Sequence, residues 1–261
     1  MIEELAGSVR YWRLALVAGA LAALLSACGT GGDQEEYVER PVEELYNQAL
    51  DLLEDGDSRK AARAFEEVER QHPYSQWATR AQLMAAYAFY DANDYDEAIA
   101  AAQRFIELHP GHKDVAYAHY LIGISYYEQI SDVGRDQKMT EEALKAFDEL
   151  IRRFPDSEYA RDAQLKADLA RDHLAGKEMS IGRYYLRHGM YIAAINRFRT
   201  VIERYQTTTH VPEALHRLTE AYLALGVPEE ARKVAAVLGY NYPSSRWYQD
   251  SYALINGVAV E

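Results

Sequence analysis

One phrase recurs along the chain and limits what it can fold into: a mixed apolar and charged run that stops at a proline. It is seen as Phe65 to Pro73, Phe105 to Pro110, Phe147 to Pro155 and Val237 to Pro243. Twelve residues before each proline stand Ala61, Ala98, Ala143 and Ala231, and a further copy places Ala194 ahead of Gln206. Four residues after each alanine come Phe65, Ala102, Phe147, Phe198 and Ala235. Twelve residues before it come Ala49, Ala86 and Thr219, with Gly123 and Gly182 in the same small-residue slot of the other two copies. Small residues let two antiparallel helices approach, an aromatic fills the gap to the next pair, and proline ends the second helix.

From Pro41 onward the apolar period is helical, without lasting strand-like alternation. The slots are similar to those of tetratricopeptide repeats, whose unit is about 34 residues. The expected fold is therefore all-α: an α-solenoid of about five helix pairs. Two copies are irregular. Gln129 to Thr140 is a polar insertion in repeat three. After it, Ser157 to Ala175 reads as one long helix and Glu178 to His188 as another, which places an extra helix near the middle. Repeats one to three would then occupy residues 41–156, and repeats four and five with the extra helix residues 157–261. Asp94 with Glu97, and Thr140, read as helix openers, and Pro228 fits a first helical turn.

The first 27 residues read as a lipoprotein signal peptide. Arg10 and Arg13 precede Leu14 to Ala27, an uncharged run shorter than the about 20 residues that span a bilayer. Glu3 and Glu4 ahead of the basic residues are unusual for a signal start and point to a start further along. The run ends Leu25-Ser26-Ala27-Cys28-Gly29, which resembles the lipobox of bacterial lipoproteins. That resemblance implies cleavage before Cys28, S-diacylglycerol and an N-acyl group on Cys28, and a stable anchor, since several acyl chains hold where one does not. Gly29, rather than Asp, after the cysteine implies the outer membrane, with the protein facing the periplasm. Residues 28–40 are Gly-rich and then acidic, as a flexible tether would be.

In a tetratricopeptide stack the first helix of each pair lines the concave side. Counting from the small-residue slot puts Tyr46, Tyr87, Tyr90, Tyr117, Tyr120 and Tyr127 there, in a chain with 21 Tyr against 6 Phe. Any one of them can equally pack between helices. As a set they read as an aromatic groove for an extended or aromatic-rich peptide, because Ala, Gly and Phe already fill the packing slots. Repeats four and five put Arg183, Glu213, His216 and Glu220 at the equivalent places, so the two halves are expected to bind different things.

Several chemistries are excluded or unsupported. A net charge of −13 argues against a nucleic-acid partner. The lone Cys28 cannot build a Cys-based zinc site, the histidines are scattered, and no HExxH, P-loop or GxSxG occurs. Solenoid enzymes that cleave the cell wall carry a Glu-Ser pair, which this chain lacks. The expectation is no enzyme, no metal and no cofactor beyond the covalent lipid on Cys28.

A lipobox followed by five such repeats resembles the BamD/ComL family of outer-membrane assembly lipoproteins. The repeat-three insertion, with Asp132, Arg135 and Asp136, is similar to that family's charged loop. The run Gly182 to Arg199 resembles its Tyr-Tyr, Arg-Gly, Asn-Arg stretch, except that His188 separates Arg187 from Gly189. The resemblance implies an accessory of the β-barrel assembly machine. C-terminal repeats would dock the POTRA domains of the barrel subunit beside other assembly lipoproteins, and the N-terminal groove would receive unfolded outer-membrane proteins. Arg197, Arg135 and Asp136 are the docking residues it points to, against the alternative of ordinary surface charges. A second reading is an envelope tetratricopeptide lipoprotein serving cell-wall synthesis or pilus assembly.

Overall fold

A computed structural model describes residues 40–257. The signal segment, Cys28 and the tether up to residue 39 lie outside the described residues. Among those described, every regular element is a helix. The pairs are α1 (Val42–Glu54) with α2 (Ser58–Gln71), α3 (Gln76–Asp91) with α4 (Tyr95–Leu108), and α5 (Val115–Glu128) with α6 (Lys138–Arg153). They continue as α7 (Ala160–Arg187) with α8 (Tyr191–Arg204) and α9 (Val211–Ala224) with α10 (Pro228–Asn241), closed by α11 (Arg246–Asn256).

The repeat slots are packing positions. Ala49, Ala61, Ala86, Ala98, Ala143, Ala194 and Ala231 are all fully buried, as are Phe65, Phe105, Phe147 and Phe198. A Cβ added to Gly123 would lie 2.6 Å from the Phe147 ring, and one on Gly182 would lie 2.5 Å from Phe198. These glycines are small because an aromatic from the second helix sits on their backbone. In repeat five, where Ala235 replaces the aromatic, Tyr248 of α11 packs from outside, 2.5 Å from a Cβ built on Gly239. α11 thus stands where a sixth first helix would, against α9 and α10; nothing in the repeat spacing announced it.

Each second helix ends on the same bend. His72, His109, Phe154 and Tyr242, each just before a proline, have φ between −134° and −131°, the region into which a following proline pushes its neighbour. Tyr205, which precedes Gln206, still adopts φ −123° and ψ 45°. There the turn is held by hydrogen bonds: Thr208 Oγ1 donates to the Tyr205 carbonyl at 2.8 Å, and Thr209 N–H to Asp172 at 3.0 Å.

The extra middle helix is not separate. α7 runs unbroken for 28 residues, joining the expected Ser157–Ala175 and Glu178–His188 segments into one element. Gly176 weakens a helix by about 1 kcal/mol relative to alanine but does not break it as proline would. It is buried, and an added Cβ would meet His210 Nε2 at 3.2 Å, so its role is spatial. Two expected openers also differ. Asp94 precedes α4, but its carboxylate takes the Arg59 guanidinium across repeats instead of capping. Thr140 lies inside the first turn of α6 and donates to Gln137 Oε1 at 3.1 Å. Pro228 does open α10.

The two layers are spaced differently. The backbones of successive first helices α1, α3, α5, α7 and α9 approach one another closely, whereas those of successive second helices stand further apart and meet only through side chains such as Arg104 on Glu69. The first helices therefore line the inner side, and the second helices leave outward-facing gaps.

Candidate partner-binding surfaces

The six expected tyrosines are all half-buried, and the structure sorts them into three settings. Tyr46 on α1 lies 4.8 Å from the Trp77 ring and 5.4 Å, edge on, from Phe65. Arg80 approaches that same Trp77 face at 5.7 Å. Burial raises the Tyr46 phenol above its usual range, with Arg80 pulling the other way.

Tyr87, Tyr90, Tyr117 and Tyr120 are brought together on α3 and α5. Tyr159, immediately before α7, extends the cluster, its ring 5.2 Å from Tyr117 and 5.4 Å from Tyr120. Burial, then the neighbouring Tyr87, Tyr159 and Tyr90, pushes the Tyr117 phenol far above its ordinary value. Tyr120 is raised by burial and by donating its hydroxyl to Asp162 Oδ2 at 2.6 Å. Burial alone would raise Asp162, but hydrogen bonds from Lys166 and Tyr120 outweigh it and hold the carboxyl down. The result is an aromatic surface whose Tyr117 and Tyr120 phenols are neutral at pH 7, with the Tyr120 hydroxyl held by Asp162. Such a surface can stack side chains and offer hydrogen bonds without demanding charge.

Tyr127 stands apart. It packs on Phe147 at 6.1 Å, with the Lys166 ammonium 5.9 Å from its ring centre. It borders a cavity of about 560 Å³ shared with Leu169, His173, Arg183 and His210. The expected groove residues are thus a cluster of four tyrosines with two outliers. The spacing rule missed Tyr159, Trp77 and Asp162, which complete it. Tyr159 precedes its helix, so a register counted within helices passes over it.

In the rear half charged groups take the equivalent places, above a buried apolar cluster that includes Met179, Ile195, Phe198 and Leu218. Arg183 of α7 donates to Glu213 of α9 at 3.1 Å, and Arg217 reaches Glu220 at 2.8 Å. His216 is buried, with Nδ1 2.8 Å from Ser251 Oγ of α11 and its ring 5.3 Å from Trp247. Burial would raise Glu220, but His216 and Arg217 outweigh it and lower its pKa.

Two of the three expected docking residues, Arg135 and Arg197, are held by α7. Arg135 and Asp136 sit exposed on the repeat-three loop. Lys177 Nζ donates to the carbonyls of Gly134 and Arg135 at 3.0 and 3.1 Å, and Gln137 Nε2 to Arg135 O at 3.0 Å. The next residue, Glu178, receives Arg197 Nη1 of α8 at 3.0 and 3.2 Å. Loop and arginine are therefore fixed by adjacent residues of one helix, although Arg135 and Arg197 are 62 positions apart in the chain.

A model of the family described as YfiO, outer membrane lipoprotein, matches residues 38–238. The chain is 52% identical over 248 residues to the outer membrane protein assembly factor BamD of Caulobacter vibrioides, covering 94% of this chain and 81% of that one. It is 47% identical to the same-named protein of Rickettsia prowazekii, covering 89% and 92%. The chain belongs to the YfiO/BamD family of outer membrane protein assembly factors. Among solved structures, the TPR domain of P58(IPK) is similar with TM-score 0.43 and 16% identity, over 82% of this chain and 56% of that domain. The YfiO match takes in every candidate residue named above except Cys28. No helix among the described residues is long and apolar enough to cross a membrane.

Proposed function

We propose that this chain is a non-catalytic scaffold, anchored in the outer membrane through lipid on Cys28 and facing the periplasm. Its aromatic groove receives segments of unfolded outer-membrane proteins, and its rear half docks the POTRA domains of a barrel-inserting subunit beside other assembly lipoproteins. The observation that carries this reading is that the Arg135 backbone and the Arg197 side chain are held by the adjacent residues Lys177 and Glu178 midway along α7, the helix whose start carries the tyrosine cluster. A neutral aromatic cluster suits chains that must be held without regard to charge; a fixed set of charged groups suits one shaped partner.

Co-purification of the lipidated chain from an envelope extract tests it. A POTRA-containing subunit should be recovered with the wild type and lost with Arg197→Ala. Recovery of only wall-synthesis or pilus components would overturn the reading. Cys28→Ala should abolish palmitate labelling, and labelling that persists would remove the anchor from the scheme.

A further inference from the structure

The outward gaps between second helices are not equivalent. Four residues before each small slot, the first helices carry Leu45, Gln82, His119, Glu178 and Leu215. Leu45 and Leu215 are buried and apolar. Gln82 is satisfied on both sides, donating to Glu69 at 2.8 Å while its Oε1 meets His109 Nε2 at 2.7 Å, and Arg104 closes the gap onto Glu69. Glu178 holds Arg197. His119 alone of the five is left open: it is 7% exposed, and its Nε2 has no hydrogen-bond partner.

The cause is three changes of side chain at matching places. Where the first gap has Glu69, Arg104 and His109, the second has Ile106, Glu149 and Phe154. Neither Ile106 nor Phe154 can bond an imidazole, and Phe154 instead packs on the His119 ring at 5.5 Å. Glu149 turns to Arg153 at 3.2 Å. What remains is a groove of about 440 Å³ between α4 and α6, floored by His119, Ile122 and Tyr126. Glu142 pairs with Lys145 at 3.9 Å, while Glu107 on the opposite wall makes no ion pair among the described residues. Burial, then Arg153, pulls His119 below the usual imidazole range, so it is a neutral group at pH 7. A buried polar atom without a partner is destabilising, so a ligand that completes its hydrogen bond is favoured.

We propose that this outer groove binds an extended segment of a partner protein, in which a backbone amide meets His119 Nε2, an aliphatic side chain covers Ile106 and Ile122, and a Lys or Arg reaches Glu107. The site is on the opposite layer from the tyrosine cluster and does not rest on the function proposed above.

The probe is a short fluorescein-labelled, amide-capped peptide of alternating leucine and arginine, followed by anisotropy with the mature chain. Ile106→Glu combined with Glu149→Arg rebuilds the closed first gap and should weaken binding at least about tenfold with helicity unchanged. His119→Leu should weaken it several-fold although the net charge stays the same, which separates this site from general attraction to an acidic chain. Glu107→Gln should remove the preference for the arginine peptide over its glutamate counterpart. The proposal falls if the basic peptide fails to bind at millimolar concentration, or if the closed-gap double variant, folded by circular dichroism, binds as well as the wild type.

Discussion

The front and rear of the repeat unit solve the same packing problem with opposite materials. Around α3, α5 and the start of α7, phenol and indole rings cover one another, and a single Tyr120–Asp162 hydrogen bond ties the cluster to the next repeat. Around α7, α9 and α11, guanidinium, carboxylate and imidazole groups do the tying. Rings hold by area and tolerate many orientations, whereas ion pairs hold by geometry and weaken with salt. A surface of the first kind accepts varied guests, and one of the second kind discriminates.

The largest effects should come from the aromatics that both halves share as spacers. Phe147→Ala and Phe198→Ala should each cost about 3–5 kcal/mol, read as the shift of the urea transition. Repeat arrays transmit through neighbours, so hydrogen exchange should show Phe198→Ala loosening α8 and α9 before α3. Uniform loosening would erase the distinction between the halves. Next, Tyr120→Phe should cost about 1.5–3 kcal/mol, as for a hydrogen bond to a charged group, and unchanged stability would mean the front is tied by stacking alone.

The buried tyrosines of the front half and Glu220 of the rear should act at opposite ends of the pH scale. Tyr117 and Tyr120 have folded values above the unfolded value of about 10. Their contribution is complete below that pH and declines as pH rises beyond it. Glu220 has a lowered folded value, so its contribution is complete above the ordinary glutamate value of about 4.3 and is lost as pH falls through the folded value. Glu220→Gln should flatten the acid limb of stability and leave the alkaline limb alone; a flattened alkaline limb would contradict this assignment. The smallest effect on folding belongs to Arg197→Ala. Its ion pair is partly exposed and should contribute no more than about 1 kcal/mol, so a loss of partner binding in this variant with the melting temperature nearly unchanged marks recognition, not stability.

The core of this arrangement was readable from residue spacing because the spacing is itself the contact: Gly123 recurs where it does since Phe147 lies on it, and Gly182 since Phe198 does. What escaped the spacing was decided by single positions. Gly176 before Lys177 and Glu178 looks like a helix boundary, yet the backbone passes through because His210 needs the room. Tyr159 lies outside any helix and so outside any register. α11 carries none of the repeat's slot residues, and its only fully buried residue is Ser251, bonded to His216. The convergence of Arg135 with Arg197 depends on Lys177 and Glu178, whose roles no local pattern reveals.

α7 has a mechanical consequence. At about 1.5 Å per residue its 28 residues make a strut of about 42 Å. It is clamped near its beginning by Tyr120 on Asp162, midway by the Lys177 and Glu178 contacts, and further along by Arg183 on Glu213. No proline interrupts it, and the helix is continuous through Gly176 and Gly182. A force applied where Tyr120 holds Asp162 is therefore passed along one continuous helix to where Arg183 holds Glu213.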